Sequence, residues 1–309
     1  MTPLGFATRG GADSRLLDPS VLARIDDLEL VARVVVEGFL GGLHRSPRFG
    51  ASTDFAEHRP YVPGDDIRRV DWRLWARTDR YHMKEFEADT DTNVTVLLDA
   101  SRSMDFAGPG SAITKLEYAK RLAACLLYFS RRQRDRVGLA VLTREVRELV
   151  RPGAGQLSAC LHVLDRLTPG TDGALAPPLR VLAERFRRRS IVVLISDLYE
   201  EPAAVVDALA NVRGRGNDII VFHVLDPAEL DFPYEEAGTF EDLESGVQMP
   251  LVPGAVRERY NALMAEHRAA LQRQITDARA DYALFDTSKP LDHVLYSYLA
   301  ARERLGRAR

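Results

Sequence analysis

The stretch NVTVLLDASRSMDF, residues 93–106, decides the fold class of this chain of 309 residues. Its first half is an apolar run of strand length that lacks apolar–polar alternation. Strands of this kind are covered on both faces, as in a parallel sheet flanked by helices. The stretches IVVLISD (191–197) and NDIIVFHVLD (217–226) have the same character. Because helical patterns alternate with these strands, we predict an α/β fold with a doubly wound, mostly parallel sheet.

Apolar residues at helical spacing predict the elements between the strands. The predicted helices cover residues 20–37, 114–133, 156–167, 175–189, 202–212, 254–280 and 290–305. Further strands are predicted at 137–143, 145–150 and 282–287. Two segments follow from this pattern. Residues 1–91 form an N-terminal segment with a helix, short strands and a box rich in Trp, Arg and Asp, and residues 92–305 form the α/β domain, in which 227–253 is an inserted hairpin or loop.

The composition limits the classes of protein to which this chain can belong. A net charge of -3 gives no global case for a nucleic-acid binder, which is usually basic. The two cysteines, Cys125 and Cys160, lie in apolar helical patterns and are interpreted as buried thiols. The first residues lack the apolar region of a signal peptide, and no stretch reaches the about 18 uncharged apolar residues of a membrane helix. We therefore expect a cytoplasmic protein without membrane insertion.

Oxygen-bearing side chains follow two of the buried strands. Asp99 ends one strand and Asp197 ends another, and Ser101 and Ser103 follow Asp99 at alternate positions. Ligands of an open parallel sheet bind beyond the carboxyl ends of its strands. These side chains are hard ligands that suit Mg²⁺ or Mn²⁺ and not zinc. For either aspartate alone, a helix cap or turn former is the alternative.

The same residues do not match the enzyme motifs that also begin with an aspartate or a serine at the end of a strand. A phosphatase of the haloacid dehalogenase type normally carries a second Asp two positions after the first, where this chain has Ser101. Neither Ser101 nor Ser103 stands in the Gly-x-Ser-x-Gly frame of a serine hydrolase, and no nearby base is evident. These observations favour a binding module over an enzyme. A Mg²⁺-dependent hydrolase or phosphatase that uses the same site remains the alternative.

The segment Asp99-Ala100-Ser101-Arg102-Ser103 resembles the first part of the metal-ion-dependent adhesion site (MIDAS) of von Willebrand factor A domains. That site also uses a threonine between two helices, here Thr171, and an aspartate after the next buried strand, here Asp197. The resemblance implies that Ser101 and Ser103 bind the ion directly. It implies that Thr171 binds it directly or through water, and Asp99 and Asp197 largely through water. The open sixth position suits a carboxylate from a partner protein.

The N-terminal box is similar to that of the bacterial domain of unknown function 58 family. The residues that carry this resemblance are Tyr61, Gly64, Asp65, Asp66, Ile67, Arg68, Asp71, Trp72, Ala76, Arg77, Lys84, Phe86 and Glu87. Members of the family join this box to an A-type domain, and many are encoded beside a MoxR-type AAA+ ATPase. The resemblance implies an adaptor that works with such an ATPase in chaperone-like assembly or maturation of client proteins.

The N-terminal box allows three interpretations of its role. Trp and Arg are enriched at binding hot spots, which suggests an interaction surface. Its candidate residues are Asp65, Asp66, Arg68, Asp71, Trp72 and Arg77. A hairpin with internally paired charges is the structural alternative. Nucleic-acid binding is a further alternative, which the interleaved aspartates of the box weaken.

Overall fold

The computed structural model describes residues 27–45, 58–60, 82–84, 92–171, 173–186, 189–291, 295, 296 and 298. The chain divides into two compact units. Met1–Leu40 and Thr92–Arg309 form the larger unit, and Gly41–Asp91 forms the smaller one. The smaller unit contains an antiparallel pair of short strands, β1 (His58–Pro60) and β2 (His82–Lys84).

A mostly parallel sheet forms the centre of the larger unit. In chain order its strands are β3 (Asn93–Asp99), β4 (Arg136–Leu142), β5 (Val146–Gly153), β6 (Ser190–Ser196), β7 (Asp218–Leu225) and β10 (Asp281–Asp286). The spatial order is β10-β7-β6-β3-β4-β5. All neighbours are parallel except β5, which pairs antiparallel with β4 at the edge. The predicted fold class is therefore confirmed.

The described helices of the larger unit flank this sheet. They are α1 (Leu28–Arg45, whose end belongs to the smaller unit), α2 (Lys115–Arg132), α3 (Leu157–Asp165), α4 (Ala176–Arg185), α5 (Pro202–Arg213), α6 (Pro227–Asp231) and α7 (Pro253–Asp277). The Thr114 side chain caps α2 by accepting a hydrogen bond from the Glu117 N–H at 3.2 Å. The Glu117 carboxylate accepts a hydrogen bond from Lys120 Nζ at 2.6 Å. Within the predicted helix 290–305, residues 290, 291, 295, 296 and 298 are described; the first two are not helical and the other three are.

Helix α1 differs from its prediction. The sequence predicted a helix from 20 to 37 that Gly38 would end, whereas the described helix is capped by Asp27 and continues to Arg45. Its apolar face is buried in the larger unit, and Phe39 packs edge-on against Phe129 with ring centroids 6.1 Å apart. A glycine within a helix costs only about 1 kcal/mol, which this packing outweighs. The boundary predicted at residue 91 places this helix in a different domain from the sheet, whereas residues 1–40 belong to the same unit as the sheet.

The core lies on both faces of the sheet. One layer joins Leu97 and Leu194 of the central strands to Leu179 of α4, Leu209 of α5 and Leu271 of α7. Helix α2 covers the opposite face, where its apolar residues are buried. Cys125 and Cys160 are buried and free, as predicted, and burial raises the pKa of each thiol to about 12.

A hairpin lies in the segment predicted as an insertion. Its strands are β8 (Gly238–Glu241) and β9 (Gln248–Leu251), which pair antiparallel and are largely exposed. The ring of Phe240 stacks on Phe232, with centroids 5.7 Å apart. Across the described part of the chain, no helix has the length and apolar character needed to cross a membrane.

Candidate functional site

Strand β3 delivers Asp99 and the following serines to the carboxyl end of the sheet. Asp99 and Ser101 are buried, with 5% and 2% of their surface exposed. The Ser101 N–H donates to Asp99 Oδ1 at 2.9 Å, which folds the chain back over the strand end. The Oγ atoms of Ser101 and Ser103 lie 3.0 Å apart. The loop therefore presents two adjacent hydroxyls above a buried carboxylate.

Strand β6 brings Asp197 to the same edge. It pairs in parallel with β3, and Leu98 lies opposite Ile195 in their register. Beyond this pair, Ser196 Oγ donates to Asp99 Oδ2 at 2.6 Å. Asp197 follows directly and is 2% exposed. The chain leaves β3 toward β4 on one side while β6 lies on the other, which is the topological switch point at which open α/β sheets bind ligands.

The loop that carries Thr171 is pressed against the first serine. The Gly170 N–H donates to the Ala100 carbonyl at 2.7 Å. A β-carbon added to Gly173 would lie 2.4 Å from Ser101 Cβ, a distance that only glycine tolerates. Thr171 lies between these two points of contact and is exposed. The close approach explains why glycines flank this threonine.

The structure thus brings Asp99, Ser101, Ser103 and Asp197 to one rim, with the Thr171 loop beside them. Among the described residues, no group of three or more His, Cys, Asp or Glu side chains could hold a metal ion. A metal at this rim would therefore depend on hydroxyl ligands. The candidate interaction residues of the box, at positions 65–77, lie outside the described residues.

The two aspartates repel each other. Burial, followed by the charge of Asp197, raises the pKa of Asp99 to about 7. Hydrogen bonds from Ser196 and Ser101 act in the opposite direction but are outweighed. A cation between the two strand ends would relieve this repulsion, because it favours the charged form of both carboxylates.

Sequence reasoning missed a buried lysine next to the site. Lys115 Nζ donates to Asp197 Oδ2 at 2.8 Å and to Glu229 Oε1 at 2.6 Å, and its side chain is 0% exposed. The ring of Tyr199 lies 4.8 Å from the ammonium. Burial alone would lower the pKa of Lys115, but the charges of Asp197 and Glu229 raise it, so the lysine remains charged. At the start of a helix a lysine is ordinarily solvated, so the sequence carried no signal for this contact.

The donor set fits a hard divalent cation. Two ligands at adjacent corners of an octahedron with metal–oxygen distances of about 2.1 Å lie about 3 Å apart. The two serine hydroxyls are separated by 3.0 Å. Asp99 lies next to Ser101 and interacts with Asp197, and each of the two carboxylates could hold a water of the ion. The presence of Mg²⁺ or Mn²⁺ remains a prediction.

The comparisons with known proteins identify the family. A family model described as "Protein of unknown function DUF58" matches residues 57–270. The chain belongs to this family. The match spans the Trp-rich box and most of the larger unit, so the family resemblance predicted from the sequence is confirmed.

Two relatives of this DUF58 protein carry the description "uncharacterized protein". The uncharacterized protein Rv1480 of Mycobacterium tuberculosis (strain ATCC 25618 / H37Rv) is 28% identical over 293 residues, which cover 93% of this chain and 91% of that protein. The uncharacterized protein MAV169 of Mycobacterium avium is 26% identical over 140 residues, 45% of this chain and 82% of that protein.

Two solved structures are similar to this DUF58 chain. The conserved hypothetical protein BatB from Bacteroides thetaiotaomicron has a TM-score of 0.48 and 19% identity, covering 70% of this chain and 98% of that one. The SpRpn10 VWA domain has a TM-score of 0.41 and 11% identity, covering 66% of this chain and 93% of that one. The predicted doubly wound, mostly parallel sheet is confirmed by the strand order and by the helices on both of its faces.

Proposed function

We propose that this DUF58 protein is a metal-dependent protein-interaction module. It captures an acidic side chain of a partner protein through an ion at the carboxyl ends of β3 and β6. The observation that carries this proposal is the meeting of two buried carboxylates, Asp99 and Asp197, with the paired hydroxyls of Ser101 and Ser103. Mg²⁺ or Mn²⁺ suits such oxygen ligands and, when bound, would supply an electrophilic position for a carboxylate.

The charges around the rim support an ion-dependent contact. Two acids, Asp197 and Glu229, pair with the Lys115 ammonium, and Asp99 lies close enough to Asp197 for their charges to interact. Without a cation this arrangement repels an approaching carboxylate. A divalent cation would offset this excess of negative charge and offer an open coordination position, so that capture of an acidic partner becomes conditional on the metal.

An aromatic side chain beside the rim is suited to contact the same partner. Tyr199 follows Asp197 by two residues and is 45% exposed. Its ring position is fixed because it lies over the buried Lys115 ammonium. Tyrosines of this kind, half-exposed and held in place, are enriched at binding hot spots.

The family resemblance supplies the partner for this proposal. A MoxR-type AAA+ ATPase is the expected partner, and an adaptor role in the assembly or maturation of client proteins is the expected context. The acidic side chain captured at the rim would belong to this ATPase or to the client.

The test is a binding assay between the full-length protein and a purified MoxR-type ATPase encoded in the same genome. Binding is measured by biolayer interferometry in the presence of Mg²⁺ and again in excess EDTA. We expect binding in Mg²⁺, loss in EDTA, and loss in the Asp99→Asn variant, which keeps the shape of the side chain. Equal binding with and without EDTA would contradict the proposal.

A matched control comes from the same loop. Asp105 lies in the short 3-10 helix Arg102–Asp105, and its side chain is exposed. The Asp105→Asn variant makes the same charge change as Asp99→Asn, six residues further along the chain. It is expected to bind the ATPase as the wild type does, which separates a site effect from a change in net charge.

A further inference from the structure

A cavity lies at the edge of the sheet opposite the rim, where the central strands begin. Its volume is about 500 Å³, and small-molecule sites usually measure roughly 300–1,000 Å³. Asn93, Arg136 and Ser190 are the first residues of β3, β4 and β6, and they lie side by side in the register of the sheet. All three line the cavity. It is therefore separate from the rim, which lies at the carboxyl ends of the same strands.

The end of α4 and strand β5 form the walls of this cavity. Leu182, Arg185 and Phe186 line it from the side of α4, and Arg151 and Pro152 line it from β5. The strand β5 comes close because β4 has a glycine there. A β-carbon added to Gly138 would lie 2.7 Å from the Pro152 nitrogen. The walls are thus set by the fold of the larger unit and not by a loose loop.

The hydroxyl of Thr95 lies at the floor of the cavity. Thr95 is two residues further into β3 than Asn93, on the same face of the strand, and it also lines the cavity. It is 0% exposed, and among the described residues none forms a hydrogen bond with its Oγ1. A buried hydroxyl without a partner destabilises the fold, because it gives up its bonds to water. A polar ligand in the cavity would supply the missing bond.

The charge of the lining favours an anionic ligand. Three guanidinium groups, those of Arg136, Arg151 and Arg185, line the cavity together with a single carboxylate, that of Glu184. Two positive charges are left over. A phosphate monoester carries about -1.5 to -2 charges near pH 7, which matches this excess. The planar fork of an arginine also fits two phosphate oxygens at once.

The apolar part of the lining favours an organic phosphate over inorganic phosphate. Leu182 is fully buried and Phe186 is half-buried, and both line the cavity on the side of α4. Inorganic phosphate alone would leave these side chains without a contact. A ring or hydrocarbon group attached to the phosphate would cover them, which adds the free energy of burying apolar surface.

We propose that this cavity binds a small organic phosphate. The phosphate is held by the arginines of the lining and by the Thr95 hydroxyl, and the ring or hydrocarbon part contacts Leu182 and Phe186. The site is independent of the proposed metal site, because the two lie at opposite edges of the sheet and share no residue. The chain thus has a small-molecule site besides the surface proposed for a protein partner.

The test uses phenyl phosphate as the probe on the full-length protein in excess EDTA, so that no ion at the rim can hold the phosphate. Binding is titrated by saturation-transfer difference NMR of the ring protons. We expect saturable binding of phenyl phosphate, about tenfold weaker binding of benzoate, which has a single charge, and no signal from phenol. No binding of phenyl phosphate, or equal binding of benzoate, would overturn the inference.

Arginine variants locate the probe. Arg151→Gln and Arg185→Gln should each weaken the binding of phenyl phosphate at least about tenfold, because a hydrogen bond between two charged groups is lost. Both side chains are exposed, so the fold should survive. Arg180→Gln removes the same charge from an exposed position of α4 outside the cavity and should bind as the wild type does. If Arg151→Gln and Arg185→Gln match this control, the cavity is not the site.

A variant of the floor separates binding from folding. Thr95→Val replaces the unpaired hydroxyl by a methyl group of the same shape, so the melting temperature should not fall. The binding of phenyl phosphate should nevertheless weaken roughly two- to tenfold, because the bond to the phosphate is lost. If Thr95→Val binds phenyl phosphate as the wild type does, the buried hydroxyl makes no contact with the ligand and the inference fails.

Discussion

Two adjacent regions share Asp197 and differ in how they are built. The rim presents Asp99, Ser101 and Ser103 from one short segment, on the side where ligands reach a parallel sheet. The cluster beneath it joins Lys115 to Asp197 and Glu229, which lie 82 and 114 residues away in the chain. The rim brings together carboxylates and hydroxyls, whereas the cluster beneath it pairs two carboxylates with the Lys115 ammonium. The same carboxylate is observed in the closed ion pair with Lys115 and is, in our proposal, also part of the open site.

The largest expected effect concerns the cluster around Lys115. In Lys115→Met, two buried carboxylates lose their counter-ion, because the side chains of Asp197 and Glu229 are only 3% and 10% exposed. We expect the free energy of unfolding in urea to fall by about 3–5 kcal/mol. Adding Glu229→Gln to this variant should recover part of the loss, since one of the unpaired charges is then removed.

The control for this prediction is an exposed lysine. Lys289 pairs with Asp286 at 3.8 Å and its side chain is 66% exposed. Lys289→Met should change the free energy of unfolding by no more than about 0.5 kcal/mol. A loss in Lys115→Met as small as that of this control would show that the buried ion pair contributes nothing to stability.

The next largest effect concerns the rim, where a bound ion is expected to stabilise the fold. A ligand that binds only the folded state, at a hundred times its Kd, raises the free energy of unfolding by about 2.7 kcal/mol. Urea unfolding in Mg²⁺ and in EDTA measures this gain for the wild type. Asp99→Asn should abolish it and Asp105→Asn should retain it. Superimposable wild-type curves in Mg²⁺ and EDTA would leave the rim without an ion.

The difference between the regions also explains what the sequence could predict. The apolar runs that end in Asp99 and Asp197 identify central strands, and parallel strands place their carboxyl ends together. Their meeting follows from the strand pattern alone. The Lys115 cluster depends on where the start of α2 meets α6, which no local pattern encodes. The length of α1 was mispredicted for a similar reason, because packing of Phe39 outweighs the local preference of Gly38.

A smaller effect tests how closely the two loops of the rim must approach. In Gly173→Ala, the new β-carbon would lie 2.4 Å from Ser101 Cβ, so the Thr171 loop must shift. We expect a loss of about 1–3 kcal/mol in the free energy of unfolding, together with weaker Mn²⁺ binding. The exposed Gly155 has no atom within 4 Å of its added β-carbon, so Gly155→Ala serves as the control. Unchanged Mn²⁺ affinity in Gly173→Ala would show that the position of the Thr171 loop does not matter to the ion.

The smallest expected effect distinguishes the contribution of the Lys115 charge to stability from the contribution of the helix start that carries it. Thr114 accepts the hydrogen bond from the Glu117 N–H and so fixes the first turn of α2. Thr114→Ala removes this cap and should lower the free energy of unfolding by about 1 kcal/mol, whereas Thr114→Ser should retain most of the stability. Because the ammonium of Lys115 remains between its two carboxylates, Mn²⁺ affinity should be unchanged in both variants. If Thr114→Ala were as damaging as Lys115→Met, the role of position 115 would lie in starting the helix, and the ion pair that distinguishes the cluster around Lys115 from the rim would be incidental.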